Sequence, residues 1–331
     1  MKEIYELYDN IYRAIIPLRG NPLKSINIFI IKDGDEAIVV DTGFNTEEVL
    51  EYTKNYINEL SLNLKKTKLF ITHLHSDHSG LAGFFESNGA EEVIMPELDG
   101  LLMGDMRKRD GKYWERIKNF SHIQGLGVDN LDINDHPGYK FRTREAFKYR
   151  PVRPGEHIKI ADYDFEIIDL CGHTPGMCGL YDKKHSILFG GDHILHKITS
   201  NIQFWGFQFK DPLGKYLNNV KKVKDLNIKH LYSSHRDLVL DVNKRCDEIF
   251  AHHAKRLDEA YHALDDGPLT PRDVTIRMKW DIRAKGWDDF PDSQKWFAVG
   301  EAHAHLEHLR YLEKISYLDK DGDGVLHYFQ K

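Results

Sequence analysis

Seven side chains in this sequence have the types and the spacing of metal ligands. Thr72-His73-Leu74-His75-Ser76-Asp77-His78 brings three histidines and an aspartate into one short stretch. Gly172-His173-Thr174-Pro175-Gly176 adds a histidine, Gly190-Gly191-Asp192-His193 an aspartate, and Ser233-Ser234-His235 a last histidine. Histidines two apart on an extended loop point the same way, so His73 and His75 can chelate one ion. Asp77 and His78 then turn toward a neighbouring ion. Imidazole and carboxylate donors suit Zn²⁺ first, with Fe or Mn as alternatives. A carboxylate such as Asp192 can bridge two cations. Paired divalent ions make hydroxide from water at neutral pH, so the chemistry expected of this set is hydrolysis. Ser76-Asp77-His78 is no serine triad, because both neighbours of the serine are engaged as ligands.

The elements that must position these residues read as alternating strands and helices. Ile26–Ile31 and Ala37–Val40 are apolar runs around Asp33-Gly34, a hairpin signal. The second run ends at Asp41-Thr42-Gly43. Thr46 to Leu60 has helical spacing, with Thr46 as N-cap. Lys68–Thr72 is a short strand that delivers the histidine cluster. Ser79–Asn88 reads as a helix and Glu92–Met95 as a strand. Residues 96–153 break the rhythm and read as an inserted helical lobe, with helices over Leu98–Arg109 and Tyr113–Ile123. Strands resume at Glu156–Ile160, Tyr163–Leu170, Ser186–Phe189 and His230–Ser233, with a helix over Pro212–Leu226. All four ligand clusters fall just past strand ends, where loops converge on one edge of a layered α/β fold. Nineteen histidines make single coincidences expected, but not four clusters in that setting.

From Val242 the texture becomes helical: Asn243–Leu264, a start at Thr270-Pro271, and Gln294–Leu312. Lys314–Leu318 and Val325–Phe329 then bracket Asp319–Gly324 as a hairpin. The expected organisation is a catalytic domain over 1–242 and a small winged-helix-like domain over 243–331. Asp319-Lys320-Asp321-Gly322-Asp323-Gly324 imitates half a calcium loop. It has Gln330 rather than Glu at the twelfth position and no helix after it, so a polar hairpin tip is expected.

A chain of 331 residues can bury a substantial core, and its net charge of −6 offers no general attraction to nucleic acid or anionic membrane. No apolar run approaches the ~20 residues of a membrane span, and the N-terminus does not read as a signal peptide. Cys171, Cys178 and Cys246 have no framework spacing, so free thiols and a cytoplasmic location are expected.

Over roughly residues 20–240 the chain resembles the metallo-β-lactamase-fold superfamily. The resemblance is carried by Asp41-Thr42-Gly43, the 72–78 cluster, Gly172–Gly176, Gly191-Asp192-His193 and Ser234-His235. It implies an αββα sandwich. It implies that His73, His75 and His173 hold a first metal, that Asp77, His78 and His235 hold a second, and that Asp192 bridges. Asp41 would support the metal loops from behind. Two departures stand out: Met177 where relatives often have His, and Ser233-Ser234-His235 where they have Pro-Gly-His. The branch with an appended winged helix includes an endoribonuclease.

The expected mechanism is attack by a metal-bridged hydroxide on a carbonyl or phosphoryl centre, with Asp77 orienting it and passing its proton to the leaving group. Small esters and thioesters are the expected substrates, and an apolar wall is expected from Phe204 and Trp205, with His193 beside the substrate. Trp114, His122 and Gln124 of the lobe could cap the site. A nuclease is the main alternative. It is disfavoured by charge: from Lys244 to Lys331 there are 14 Lys or Arg against 17 Asp or Glu, a net of −3. A local patch at Arg277, Lys279, Arg283 and Lys285 softens that objection. Acidic pairs at 265–266 and 288–289 suit packing, lid or homodimer contacts instead. A mononuclear-iron oxygenase and a catalytically silent scaffold complete the set, the latter disfavoured because no ligand is missing.

Overall fold

A computed structural model of the chain describes residues 4–331. Its first sheet grows around the apolar run at 26–31. Strands β1 (Ile4–Tyr8), β2 (Ile11–Pro17), β3 (Ser25–Asp33) and β4 (Glu36–Val40) form an antiparallel meander. The β3–β4 turn is made by Gly34 and Asp35, with Gly34 at φ 55°. Strands β5 (Thr67–Phe70), β6 (Glu92–Pro96) and β7 (Arg150–Val152) then add in parallel, completing a sheet whose spatial order follows the sequence. The helix Glu47–Glu59 makes the β4–β5 crossover, and Thr46 caps it by accepting from the Val49 amide.

The helical lobe is the β6–β7 crossover. It holds helices Glu97–Met106, Lys112–Ile123 and Pro137–Lys140. The lobe ends earlier than the sequence suggested, because β7 lies at 150–152. That strand is three residues long with Pro151 at its centre, which removes a ladder donor and confines it to a sheet edge. The second sheet holds β8 (His157–Ile160), β9 (Tyr163–Asp169), β10 (Cys178–Asp182), β11 (Ile187–Gly191) and β12 (His230–Ser233), in the order β12-β11-β10-β9-β8.

Phe29, Ile31, Ile38, Val40 and Phe70 of the first sheet face Phe165, Ile167, Leu180 and Phe189 of the second across a closed core. On the far side of the first sheet, Val49, Tyr56, Leu81 and Phe85 pack with the lobe residues Met103, Met106 and Trp114. On the far side of the second sheet, Leu213, Tyr216, Val220 and Val223 pack with Val242, Cys246 and Ile249. The result is an αββα sandwich.

The C-terminal segment contributes helices Val242–His262, Pro271–Arg277 and Asp292–Tyr311, then a hairpin of β13 (Ile315–Asp319) and β14 (Leu326–Gln330). Thr270 and Asp273 form a reciprocal capping box with Pro271 at the first helical position. The helix Val242–His262 gives its first half to the cluster on the second sheet. Its Ala260 joins Leu264, Val274, Met278, Leu306 and Tyr328 in a separate cluster. At the hairpin tip, Asp319 and Asp323 accept from the amides of Gly322, Gly324 and Val325, so these carboxylates cap their own turn. No helix among the described residues is long and apolar enough to cross a membrane.

Candidate metal centre

The centre forms where β4, β5, β11 and β12 end. Asp41 closes β4 in a left-handed conformation, φ 64°, and is fully buried. Such a conformation is costly for a residue with a side chain and persists where surrounding contacts fix it. Here Asp41 accepts from the Thr72 amide at 2.8 Å, from Thr72 Oγ1 at 2.9 Å and from Ser234 Oγ at 3.3 Å, and pairs with His78 Nδ1 at 2.8 Å. One carboxylate thus ties together the ends of β4, β5 and β12.

The other imidazoles are held from behind in the same way. His173 Nδ1 meets the Asn201 carbonyl at 2.9 Å, and His235 Nδ1 meets the Ser25 carbonyl at 2.8 Å. Acceptors at Nδ1 fix the tautomer that leaves Nε2 free, in front. His73 and His75 face each other through Nε2 and Nδ1 at 3.1 Å.

Three groups of donor atoms converge: His73, His75 and His173; His73, His78 and Asp192; and Asp77, His78 and His235. Within each group the candidate ligand atoms lie within 4.8 Å of one another. Asp192 stands between the two ends. Its Oδ1 is 3.5 Å from Nε2 of both His78 and His235, and its Oδ2 is 3.7 Å from His173 Nε2. Asp77 Oδ2 lies 3.3 Å from His235 Nε2 and 3.9 Å from His78 Nε2.

The donors fit divalent ions. Among the described residues, Nε2 of His78, His173 and His235 and Oδ1 of Asp192 are buried with no hydrogen-bond partner. Buried polar atoms left bare cost about 1–3 kcal/mol each, so four in one place need an explanation. All four are lone-pair donors that fall within the convergent groups, and divalent ions held there would satisfy them.

The electrostatics agree. Burial alone would raise Asp192, but His235, His78 and His173 outweigh it and hold the carboxyl far below the usual range. Burial likewise pushes Asp77 up, and His78 and His235 bring it down to about 2. Burial would lower His78 and His235, yet the carboxylates beside them raise both. His75 falls to about 3 through burial and the nearby His173, and burial also lowers His73 and His173. The two carboxylates therefore demand positive charge, while the three-histidine end presents neutral lone pairs.

Residues 21–235 match the Metallo-beta-lactamase superfamily model. The chain belongs to the metallo-beta-lactamase superfamily. It is 26% identical over 178 residues to the human acyl-coenzyme A thioesterase MBLAC2, covering 50% of this chain and 57% of that protein. It is 28% identical over 160 residues to the hydroxyacylglutathione hydrolase GloC of Haemophilus influenzae, covering 48% of this chain and 62% of that protein. The chain thus spans less than two thirds of either relative. The crystal structure of a metallo-beta-lactamase family protein from Thermus thermophilus superposes with a TM-score of 0.82 at 25% identity, over 98% of this chain and 100% of that one.

The residues proposed for a pocket part company. Trp205 donates from Nε1 to the His173 carbonyl at 3.1 Å, and its ring lies stacked 6.0 Å from that of His75, so it walls the first ligand group. Phe204 faces away and stacks at 3.8 Å on His303 of the C-terminal helix. His193 is buried edge-on to Tyr216, 5.1 Å between ring centroids. In the lobe, Trp114 donates to the Met106 carbonyl, His122 meets the Asp323 carbonyl and Gln124 meets His303. The two family departures also find places. Met177 is fully buried in the core, and Ser234 reaches Asp41. The sequence reading missed Asn201 and Ser25, which act through backbone carbonyls and so leave no side-chain signal. It also missed Asp99, a first-turn acid of the helix that follows β6.

Proposed function

We propose that this chain is a two-metal hydrolase of small thioester or ester substrates, with zinc at both positions. The observation that carries this reading is the convergence of seven His and Asp residues, four of which aim a buried donor atom with no other partner into the cluster. His73, His75 and His173 would hold one ion, Asp77, His78 and His235 the other, and Asp192 both. Such ions, when bound, acidify a water and polarise the scissile carbonyl. Asp77 keeps a small exposed face at the cleft, where it orients the attacking water and passes its proton to the leaving thiolate or alkoxide. Trp205 forms an apolar wall next to His75 and excludes water from that side.

The thioester preference is supported by the relatives, one named for acyl-coenzyme A and one for hydroxyacylglutathione, both thioesters. Nuclease activity is not favoured. Arg277, at the head of the basic patch, is committed to Asp266 at 3.3 Å and to the Ala263 carbonyl. The segment 243–331 is assigned as a winged-helix-like domain that backs the catalytic loops. Three free thiols suit a cytoplasmic setting.

The test is a panel assayed with zinc- and with manganese-loaded protein: acyl thioesters, a homoserine lactone, a chromogenic β-lactam, bis-p-nitrophenyl phosphate and single-stranded RNA. Turnover confined to acyl substrates is the expected result. Cleavage of RNA and the phosphodiester alone would overturn it.

A further inference from the structure

We propose that Asp99 is a positioning residue for the first ion, holding the loop of His73 and His75 and the loop of His173 at one fixed separation. The inference rests on the two-metal reading above. Asp99 sits in the first turn of the helix Glu97–Met106 and is fully buried. Its Oδ2 accepts from the Leu74 amide at 2.9 Å and from Thr174 Oγ1 at 2.6 Å, and its Oδ1 accepts from the Gly176 amide at 2.7 Å. Leu74 lies between His73 and His75, and Thr174 follows His173. Each ligand to the first ion is therefore bonded in sequence to a residue that Asp99 grips.

The approach is close enough to demand glycine at 176. A Cβ there would lie 2.8 Å from both the amide nitrogen and Oδ1 of Asp99. The hydrogen bonds of Asp99 reach none of His78, Asp192 and His235. Asp41 serves that side by gripping His78 and Ser234, and through Thr72 it also meets the strand end that precedes His73. The centre thus has two buried carboxylate braces, one from a strand end and one from the helical lobe.

All three partners of Asp99 are donors, and the ionised carboxylate, which only accepts, meets them all. Asparagine has nearly the same shape but turns an N–H toward one of them. Asp99→Asn therefore probes the brace with little change in volume. Thr174→Val removes one donor and leaves the carboxylate, and it serves if Asp99→Asn does not fold.

The experiment measures zinc per chain across a graded series of chelator concentrations, with melting temperature in parallel. Visible spectra of the cobalt-substituted protein, calibrated with His75→Ala and His235→Ala, identify which ion is lost. Wild type is expected to hold two ions. Asp99→Asn is expected to release the first at about 10–100-fold lower chelator while keeping the second, and Thr174→Val to shift the same ion by less. Loss of both ions in step with melting temperature would make Asp99 a merely structural residue and overturn the inference. So would two ions held as in wild type. Wild type that binds no ion would instead bring down the two-metal reading.

Discussion

Asp192 is the side chain that both ends of the centre share, with its two oxygens at 3.5–3.7 Å from His78, His173 and His235. Asp192→Ala removes the carboxylate that stands between the two ends, and the protein is expected to lose at least one ion per chain and nearly all turnover, read by metal analysis and steady-state rates. Asp41→Ala acts one step further out. It leaves His78 Nδ1 unpartnered, so second-ion affinity should fall about 10–100-fold, with a smaller loss at the first ion through Thr72, whose hydroxyl meets His73 Nδ1 at 3.0 Å. Asp99 gives a pH signature. Burial pushes its carboxyl up to about 6 from an ordinary 3.8, against the pull of Thr174, Leu74 and Gly176. A raised folded value means that the fold binds this proton more tightly than the unfolded chain does. Its stabilising effect is therefore full below about 3.8, and declines as pH rises to about 6. In chelator, the stability of wild type minus that of Asp99→Asn should fall by roughly 3 kcal/mol across that window and stay level above it. A difference independent of pH would refute this. The convergence of these seven candidate ligands was legible in the sequence because residue type, spacing and position past a strand end agreed. Asp99 was not, because its role exists only once the lobe folds back onto two loops remote from it in the chain.

Strands and helices were legible where one period dominated. The hairpin at Gly34, the Thr46 cap and the Thr270-Pro271 start all follow local chemistry that needs no tertiary context. The strands that escaped lack such a signal. Residues 4–17 pair as β1 and β2 through a turn at Asn10, φ 61°, with only part of their side chains buried. β7 carries Pro151 at its centre. β10 is buried on both faces, so it shows no alternation, and a Cβ at Gly179 would stand 2.6 Å from Leu170 Cδ1. The loop after β9 shows how tightly these elements confine the candidate ligands. Gly172 has φ 136°, and a Cβ there would lie 2.5 Å from Tyr216 Cβ. Gly172→Ala combines backbone strain with overpacking at a site that cannot open without moving the helix Pro212–Asp225. A loss of roughly 2–5 kcal/mol is expected from denaturant titration. His173, the next residue, should bind its ion more weakly in the same variant.

The segment after Val242 reaches the candidate metal centre through hydrogen bonds that no sequence pattern announced. Glu301, on the helix Asp292–Tyr311, accepts from Asn201 Nδ2 at 2.8 Å, and the Asn201 carbonyl holds His173 Nδ1. Arg256 Nε, from the helix Val242–His262, stands 3.5 Å from the same carboxylate. A second chain of contacts joins the lobe to this segment. Gln124 meets His303, His303 meets the Tyr328 hydroxyl at 2.8 Å, and that hydroxyl donates to Glu307 at 2.7 Å. Lobe, C-terminal helices and ligand loops are thus linked through buried polar groups, and losing one partner leaves others bare. Glu301→Ala should therefore act at a distance. Asn201 loses the shorter of its two Nδ2 hydrogen bonds and keeps that to the Phe297 carbonyl at 3.3 Å, the His173 ring gains freedom, and the first ion should dissociate more readily than the second. Glu301→Gln keeps an acceptor for Asn201 and should restore most of that affinity, while weakening the contact with Arg256. A melting-temperature loss common to both variants, with first-ion affinity lost only in the alanine form, would separate the effect on His173 from the effect on the fold. Equal metal affinity in the two variants would mean that the C-terminal segment supports the sandwich without orienting its ligand.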